Sequence, residues 1–183
     1  MMNEKKAAFT TRELVMMAVC LAFCMVTAFI SFPLPFTPGL VTALTVALSV
    51  TALVLSPKLT FITVAAYVFL GAIGLPLFPG GVGGLGRLLG PTGGFYFGWP
   101  FVCAIVSMLK GREINLRRYL LVTTVVAVPL TYIGGTISMM QVLQIDFAKA
   151  IGMAVLPFIP GDILKGILAA FIGYKVNKML SVR

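Results

Sequence analysis

LVMMAVCLAFCMVTAFISFPLPFTPGLVTALTVALSVTALVLSP, the stretch from Leu14 to Pro57, contains no charged side chain. A helix that crosses a bilayer needs about 20 predominantly apolar residues, so the stretch is long enough for two. It is divided at Ser31-Phe32-Pro33-Leu34-Pro35-Phe36-Thr37-Pro38-Gly39, where prolines without amide hydrogens cannot continue a helix. The reading is two membrane helices, over residues 13–32 and 39–56, joined by a loop. Working outward, Ser56-Pro57-Lys58 makes a turn, and a third helix over 59–76 ends near Gly74-Leu75-Pro76. A glycine-rich segment from Phe78 to Gly94 leads into a fourth helix over 92–109. The basic turn Lys110 to Arg118 precedes a fifth over 119–138. Residues 139–156 read as a connector with a short amphipathic helix, and a sixth helix covers 160–178.

Composition agrees. Of the 183 residues 60% are apolar and 10% charged, with a mean hydropathy of +1.07. A soluble domain carries about 25% charged residues, so this chain has too few to cover itself in water. The expectation is one all-α, polytopic membrane domain over residues 1–183. The first apolar run is too long for a signal peptide and has no small-residue cleavage site in place, so it is expected to remain as the first membrane helix. The net charge of +9 is read as topology, with no nucleic-acid partner. Lys5, Lys6, Arg12, Lys58, Lys110, Arg112, Arg117, Arg118, Lys175, Lys178 and Arg183 fall on one side, 11 of the 14 Lys and Arg, while Arg87 and Lys149 fall on the other and Lys165 lies within a span. The positive-inside rule then puts both termini in the cytoplasm. The proline loop, the glycine loop and the 139–156 connector all lie outside, where apolar Gly/Pro-rich loops are expected to fold back as a lid or pocket wall.

There is no His, and Cys20, Cys24 and Cys103 all sit in apolar runs. Zinc, haem and His-based acid–base chemistry lose their usual ligands. No metal site, catalytic residue or cofactor is expected, and the thiols read as packing residues.

Pro160-Gly161-Asp162-Ile163-Leu164-Lys165 is the sharpest chemical signal. Residues i and i+3 share a helix face, and ionisable groups at membrane depth usually face a cavity, a partner or water. Two readings fit: a helix start stabilised by Asp162 with Lys165 as its neighbour, or a pair that grips a urea-like or carboxylate group from outside. Arg87 is either an exposed loop arginine or a fork for a carboxylate, with glycines beside it that let backbone approach a ligand. Gly90, Gly94 and Gly98 recur every four residues, a spacing that in membranes favours close helix packing, expected here for Gly94 and Gly98. Among Phe95, Tyr96, Phe97 and Trp99, an interfacial aromatic belt is one reading. A pocket-facing Tyr96 stacked on a flat ring is the other. Ala18 and Ala22 form a small-xxx-small step that would allow a close helix contact. Neither a carboxylate relay nor an ATP-binding motif is present, so uphill movement of a solute would draw its energy from a partner.

Gly71-Ala72-Ile73-Gly74-Leu75-Pro76, Gly80-Gly81-Val82-Gly83-Gly84, Leu89-Gly90-Pro91-Thr92-Gly93-Gly94-Phe95 and the Pro160 to Lys165 motif resemble the BioY family, the biotin-specific substrate-binding (S) components of energy-coupling-factor (ECF) transporters. The resemblance runs from the first helix to the sixth. It implies a six-helix fold in the cell membrane of a prokaryote, a biotin pocket near the outer face closed by the first loop, and partners comprising a transmembrane T component and two ATPase subunits. It implies that Arg87, Asp162 and Lys165 are ligand-pocket residues, joined as substrate-binding candidates by Tyr96, Gly83, Gly84, Thr92 and Gly94, and that Ala18 and Ala22 dock the T component. The sequence departs from the family at one step: after the first loop, Thr37-Pro38-Gly39 and Thr42-Ala43-Leu44 lack the Gln of a Thr-Leu-Gln pattern. The alternatives are a self-sufficient oligomeric vitamin transporter, in which Gly-xxx-Gly faces would serve self-association, and a membrane enzyme acting on lipid.

Overall fold

The computed structural model describes residues 9–181. The topology charges Lys5, Lys6 and Arg183 lie outside the described residues. Along the chain come α1 (Thr11–Ala28), β1 (Ser31–Pro33), β2 (Leu40–Thr42), α2 (Leu44–Val54), α3 (Pro57–Ala72), α4 (Leu85–Leu88), α5 (Gly93–Leu109), α6 (Leu116–Leu121), a π-helical turn (Val122–Ala127), α7 (Val128–Leu143), α8 (Phe147–Ala154) and α9 (Ile159–Ser181). The segments α6, π turn and α7 form one helix from Leu116 to Leu143. Local chemistry sets the starts. Thr10 and Glu13 close a capping box at α1, and Pro57 opens α3 where no intrahelical amide is needed.

Helices stand at the six expected places, with informative differences at their ends. The second begins at Leu44 rather than 39, because residues 40–42 are drawn into an antiparallel ribbon pairing Ser31 with Thr42, Phe32 with Val41 and Pro33 with Leu40. The all-α expectation therefore becomes a mostly helical fold with one short ribbon. The fifth helix runs to Leu143 rather than 138, where Gln144 breaks it in the left-handed region at φ 52°. The amphipathic connector helix is α8, capped by Asp146, whose side chain accepts from the Lys149 amide at 2.7 Å. The four-residue α4 inside the glycine-rich segment was not foreseen.

Among the described residues two helices, Thr11–Ala28 and Leu116–Leu143, are long and apolar enough to cross a membrane; α8 and α9 make a further pair bent by 50°, and α2, α3 and α5 are shorter apolar helices. The 11 residues of α2 give about 16 Å of helix, half of a ~30 Å hydrocarbon core. Eight of the 11 are buried, because α1, α3, α5 and α9 all pack on it. The outer surface is apolar instead: Val19, Val26, Phe69, Phe101, Met108 and Leu164 are each more than 60% exposed. Exposed apolar area on this scale suits hydrocarbon.

Close backbone crossings hold the bundle. A Cβ on Gly94 would lie 1.9 Å from the Gly134 carbonyl oxygen, and one on Gly135 would meet the Phe95 ring at 2.0 Å, so α5 and α7 touch through glycine. Gly98 has no atom within 4 Å of its Cβ position. The packing expected for it is overturned, because one turn further along the same face of α5 no neighbouring helix comes within reach. The π turn widens the helix where Thr123 donates to the Gly166 carbonyl of α9 at 2.8 Å. At the far end of the bundle, the last carbonyls of α2 receive side-chain donors. Lys110 donates to Ala52 at 3.0 Å and also to Leu55, Ser107 donates to Leu55 at 2.6 Å, and Asn177 donates to Leu53 at 2.9 Å. These carbonyls lack intrahelical partners.

Candidate functional site

The opposite end opens into a pocket of about 600 Å³, a volume that includes its mouth. The ribbon loop contributes Pro38, Gly39 and Leu40; α4 contributes Arg87; the start of α5 contributes Thr92, Phe95, Tyr96 and Trp99; α7 contributes Thr131 and Tyr132; and α9 contributes Asp162 and Lys165. The loop is tied down rather than free. Thr37 Oγ1 donates to the Met153 carbonyl at 2.8 Å, the Gly80 amide donates to Ser31 Oγ at 2.9 Å, and Gly39 lies against the Phe158 ring. The first loop thus forms a pocket wall, fastened to both other loops at this end.

Asp162 and Lys165 sit in the first two turns of α9. A carboxylate is stabilised there by the aligned peptide dipoles. Lys165 Nζ lies 2.5 Å from Asp162 Oδ1 and donates to the Thr42 carbonyl at 3.2 Å. The Tyr132 hydroxyl donates to Asp162 Oδ2 at 2.8 Å. Both side chains are mostly buried, at 18% and 14% exposure for Lys165 and Asp162. The two sequence readings merge here: the pair begins the helix and also lines a cavity. Each carboxylate oxygen has a second lone pair to offer, so Asp162 keeps capacity for a ligand N–H.

Arg87 is half-buried in α4, on the wall that carries Thr92 and Tyr96. Among the described residues the one salt bridge is Asp162–Lys165, so the Arg87 fork has no carboxylate of the protein on it. Tyr96 is 4% exposed and packs between Phe78, with ring centroids 4.4 Å apart, and Trp99, at 4.8 Å and 77°. The aromatic wall is therefore rigid. Phe97 points away and is exposed.

Arg87, Thr92, Tyr96, Asp162 and Lys165 thus meet in one cavity, although 78 residues separate the first from the last. Gly83, Gly84 and Gly94 do not line it. Gly83 lets the Leu75 carbonyl approach, Gly84 adopts φ +99° and donates to the Gly71 carbonyl at 2.7 Å, and Gly94 makes the α5–α7 crossing. They shape the pocket's surroundings through backbone geometry. Sequence reading missed Tyr132, Thr131 and the lining role of Trp99. Thr131-Tyr132 is a polar step inside an apolar helix, the kind of signal that marks a cavity-facing position.

The model of the BioY family matches residues 2–182. The biotin transporter BioY of Thermotoga maritima is 33% identical over 168 residues, covering 92% of this chain and 97% of that protein. The biotin transporter BioY of Rhizobium etli is 32% identical over 176 residues, covering 91% and 94%. A crystal structure of the S-component for biotin from an ECF-type ABC transporter superposes with a TM-score of 0.85 at 28% identity, covering 93% of this chain and 95% of that one. These relatives are named as transporters or as a transporter component. The motifs, the fold and these matches converge: the chain belongs to the BioY family.

Proposed function

We propose that this chain binds biotin in the pocket between Arg87 and the Asp162–Lys165 pair and mediates its uptake as the S component of an ECF transporter. The observation that carries the reading is the convergence of one unpaired cation, one ion pair and an aromatic wall in a single cavity, in a chain that superposes on an S component for biotin. Biotin offers a carboxylate, an apolar chain and fused rings, and a cyclic urea. A mostly apolar pocket with a few placed polar groups suits such a ligand. Asp162 accepts from urea N–H, Lys165 donates to its carbonyl, and Arg87 is free to take a carboxylate. No chemistry on the ligand is required.

In this reading α1, α3, α5, the continuous Leu116–Leu143 helix and α9 cross the cell membrane, and α2 together with the ribbon before it makes the sixth crossing inside them. Both termini are cytoplasmic and the pocket opens outward, as the distribution of Lys and Arg supports. A transmembrane T component and two ATPase subunits supply energy. Ala18 and Ala22 are exposed on α1 beside Val15 and Val19, a low-relief face available to the T component.

Equilibrium binding of labelled biotin to the purified protein tests the proposal. Tight binding by the parent, weakened at least tenfold in Asp162→Asn and in Arg87→Ala, is expected. A well-folded parent that does not bind biotin overturns the assignment.

A further inference from the structure

Beneath the pocket lies a second cavity of about 490 Å³, including any open space at its edge. The two cavities share five lining residues: Thr45, Trp99, Thr131, Asp162 and Lys165. The Asp162–Lys165 pair, pinned by Tyr132 and the Thr42 carbonyl, therefore stands at their common boundary. Below it the inner cavity continues past Ser49 and Cys103 to Val106. Along α5 the two together run from Thr92 to Val106, about 21 Å of helix axis. One helical turn further on, Lys110 and Ser107 hold the end of α2.

The lining of the inner cavity is selective. Its polar groups below the ion pair are neutral. They are the hydroxyls of Ser49 and Thr123, with those of Thr45 and Thr131 at the boundary; Thr123 already donates to the Gly166 carbonyl, and among the described residues the hydroxyls of Ser49 and Thr131 have no hydrogen-bond partner. Hydroxyls donate and accept, so they satisfy an amide or urea. Among the described residues no cation lines the chamber below the ion pair to offset the desolvation of a carboxylate, and bringing an unpaired charge into such a space is strongly unfavourable.

We propose that this inner chamber is a second compartment of the substrate site, and that the Asp162–Lys165 pair is the gate between the two. Small uncharged hydrogen-bonding groups of the amide or urea class pass the gate, and carboxylates stay in the outer pocket. Opening requires Lys165 to leave Asp162, which a ligand N–H can replace as donor. The inference rests on the pocket being the substrate site and adds an inward step to it.

Cys103, 5% exposed and in the chamber wall, reports on entry. In protein carrying Cys20→Ala and Cys24→Ala, the rate of Cys103 modification by methyl methanethiosulfonate, a small neutral reagent, is measured in lipid nanodiscs. Lys165→Met should raise the rate at least tenfold, and adding Ser49→Phe, which fills the chamber, should return it to the starting value. In the Lys165→Met protein, 2-imidazolidinone, a bare cyclic urea, should slow the reaction, whereas acetate should not. Thermal unfolding checks each variant, and Asp162→Asn is the second gate variant should Lys165→Met not fold. An unchanged rate in both gate variants overturns the gate, and so does acceleration that survives Ser49→Phe, since the reagent then arrives from the lipid side. Protection by acetate equal to that by the urea overturns the selectivity. Biotin binding by the parent is measured in parallel. Its absence, with the cysteine pattern as expected, sinks the biotin assignment and leaves the chamber and its gate standing.

Discussion

The two ends of the bundle use similar side chains to opposite ends. At the far end Lys110, Ser107 and Asn177 all donate to backbone carbonyls of the last turn of α2, and Asn177 also donates to the Tyr119 hydroxyl at 2.8 Å. Those donors are spent on the chain's own backbone. At the pocket end Arg87 has no carboxylate on it among the described residues, and Asp162 keeps lone pairs beyond its bonds to Lys165 and Tyr132. The lysines alone do not show the difference, since Lys110 and Lys165 each place two of their three donors. It lies in what stands beside them: backbone carbonyls alone at the far end, and a carboxylate with remaining lone pairs and a guanidinium lining a cavity at the other.

The largest effect expected tests that division directly. Asp162→Asn removes the partner of a mostly buried ammonium, a loss of about 3–5 kcal/mol for buried pairs, and should weaken biotin binding about 100-fold or more. Asn177→Ala should leave affinity within about twofold while lowering stability by about 1 kcal/mol, the worth of an ordinary hydrogen bond. Equal losses of affinity in the two variants, read by equilibrium binding and thermal unfolding together, would erase the distinction. Next in size, Tyr132→Phe removes one donor to a carboxylate and should lower affinity about 10-fold, with the fold intact by thermal melting. Smaller again is an effect of pH at the far end. Burial draws the Lys110 ammonium from 10.5 down to about 8. A lysine with a lower value folded than unfolded destabilises the fold while protonated, and that cost is relieved as pH rises. Stability should therefore climb between about pH 8 and 10.5 and lose that climb in Lys110→Met, as melting curves across that range will show. The neutral amine keeps two N–H donors for the two carbonyls. Smallest of all, Trp99→Phe removes a buried indole N–H that has no partner among the described residues. Losing an unpaired donor offsets part of what the missing ring contacts cost, so the melting midpoint should fall by only a few degrees.

How far these features could be read in advance depends on whether they are local in the chain. The charge-free run from Leu14 to Pro57 announces apolar helices because composition along one dimension is enough. Asp162 and Lys165 stand out for the same reason, as charges three apart in an apolar helix. The ribbon was not legible, because Ser31 pairs with Thr42 across a proline loop and no periodicity records the pairing. Tyr132 is 30 residues from Asp162, and only the packing of α7 beside α9 brings them together. The glycines show the limit most clearly. Gly94 and Gly98 have the same spacing signal, yet one is in contact with Gly134 and the other faces open space. Spacing marks a helix face, and the neighbouring helices decide which part of that face is covered.

The brevity and burial of α2 have a further consequence. Lipid thickness acts on the elements that touch lipid, through tilt, stretching or local deformation of the bilayer. Sheathed by α1, α3, α5 and α9, α2 is spared that matching requirement. Its Thr45 and Ser49 stand on the wall of the cavities with a protein jacket between them and the acyl chains. A bilayer that thickens or thins presses on the jacket first, so the cavity wall is mechanically insulated from changes in the thickness of the membrane around it.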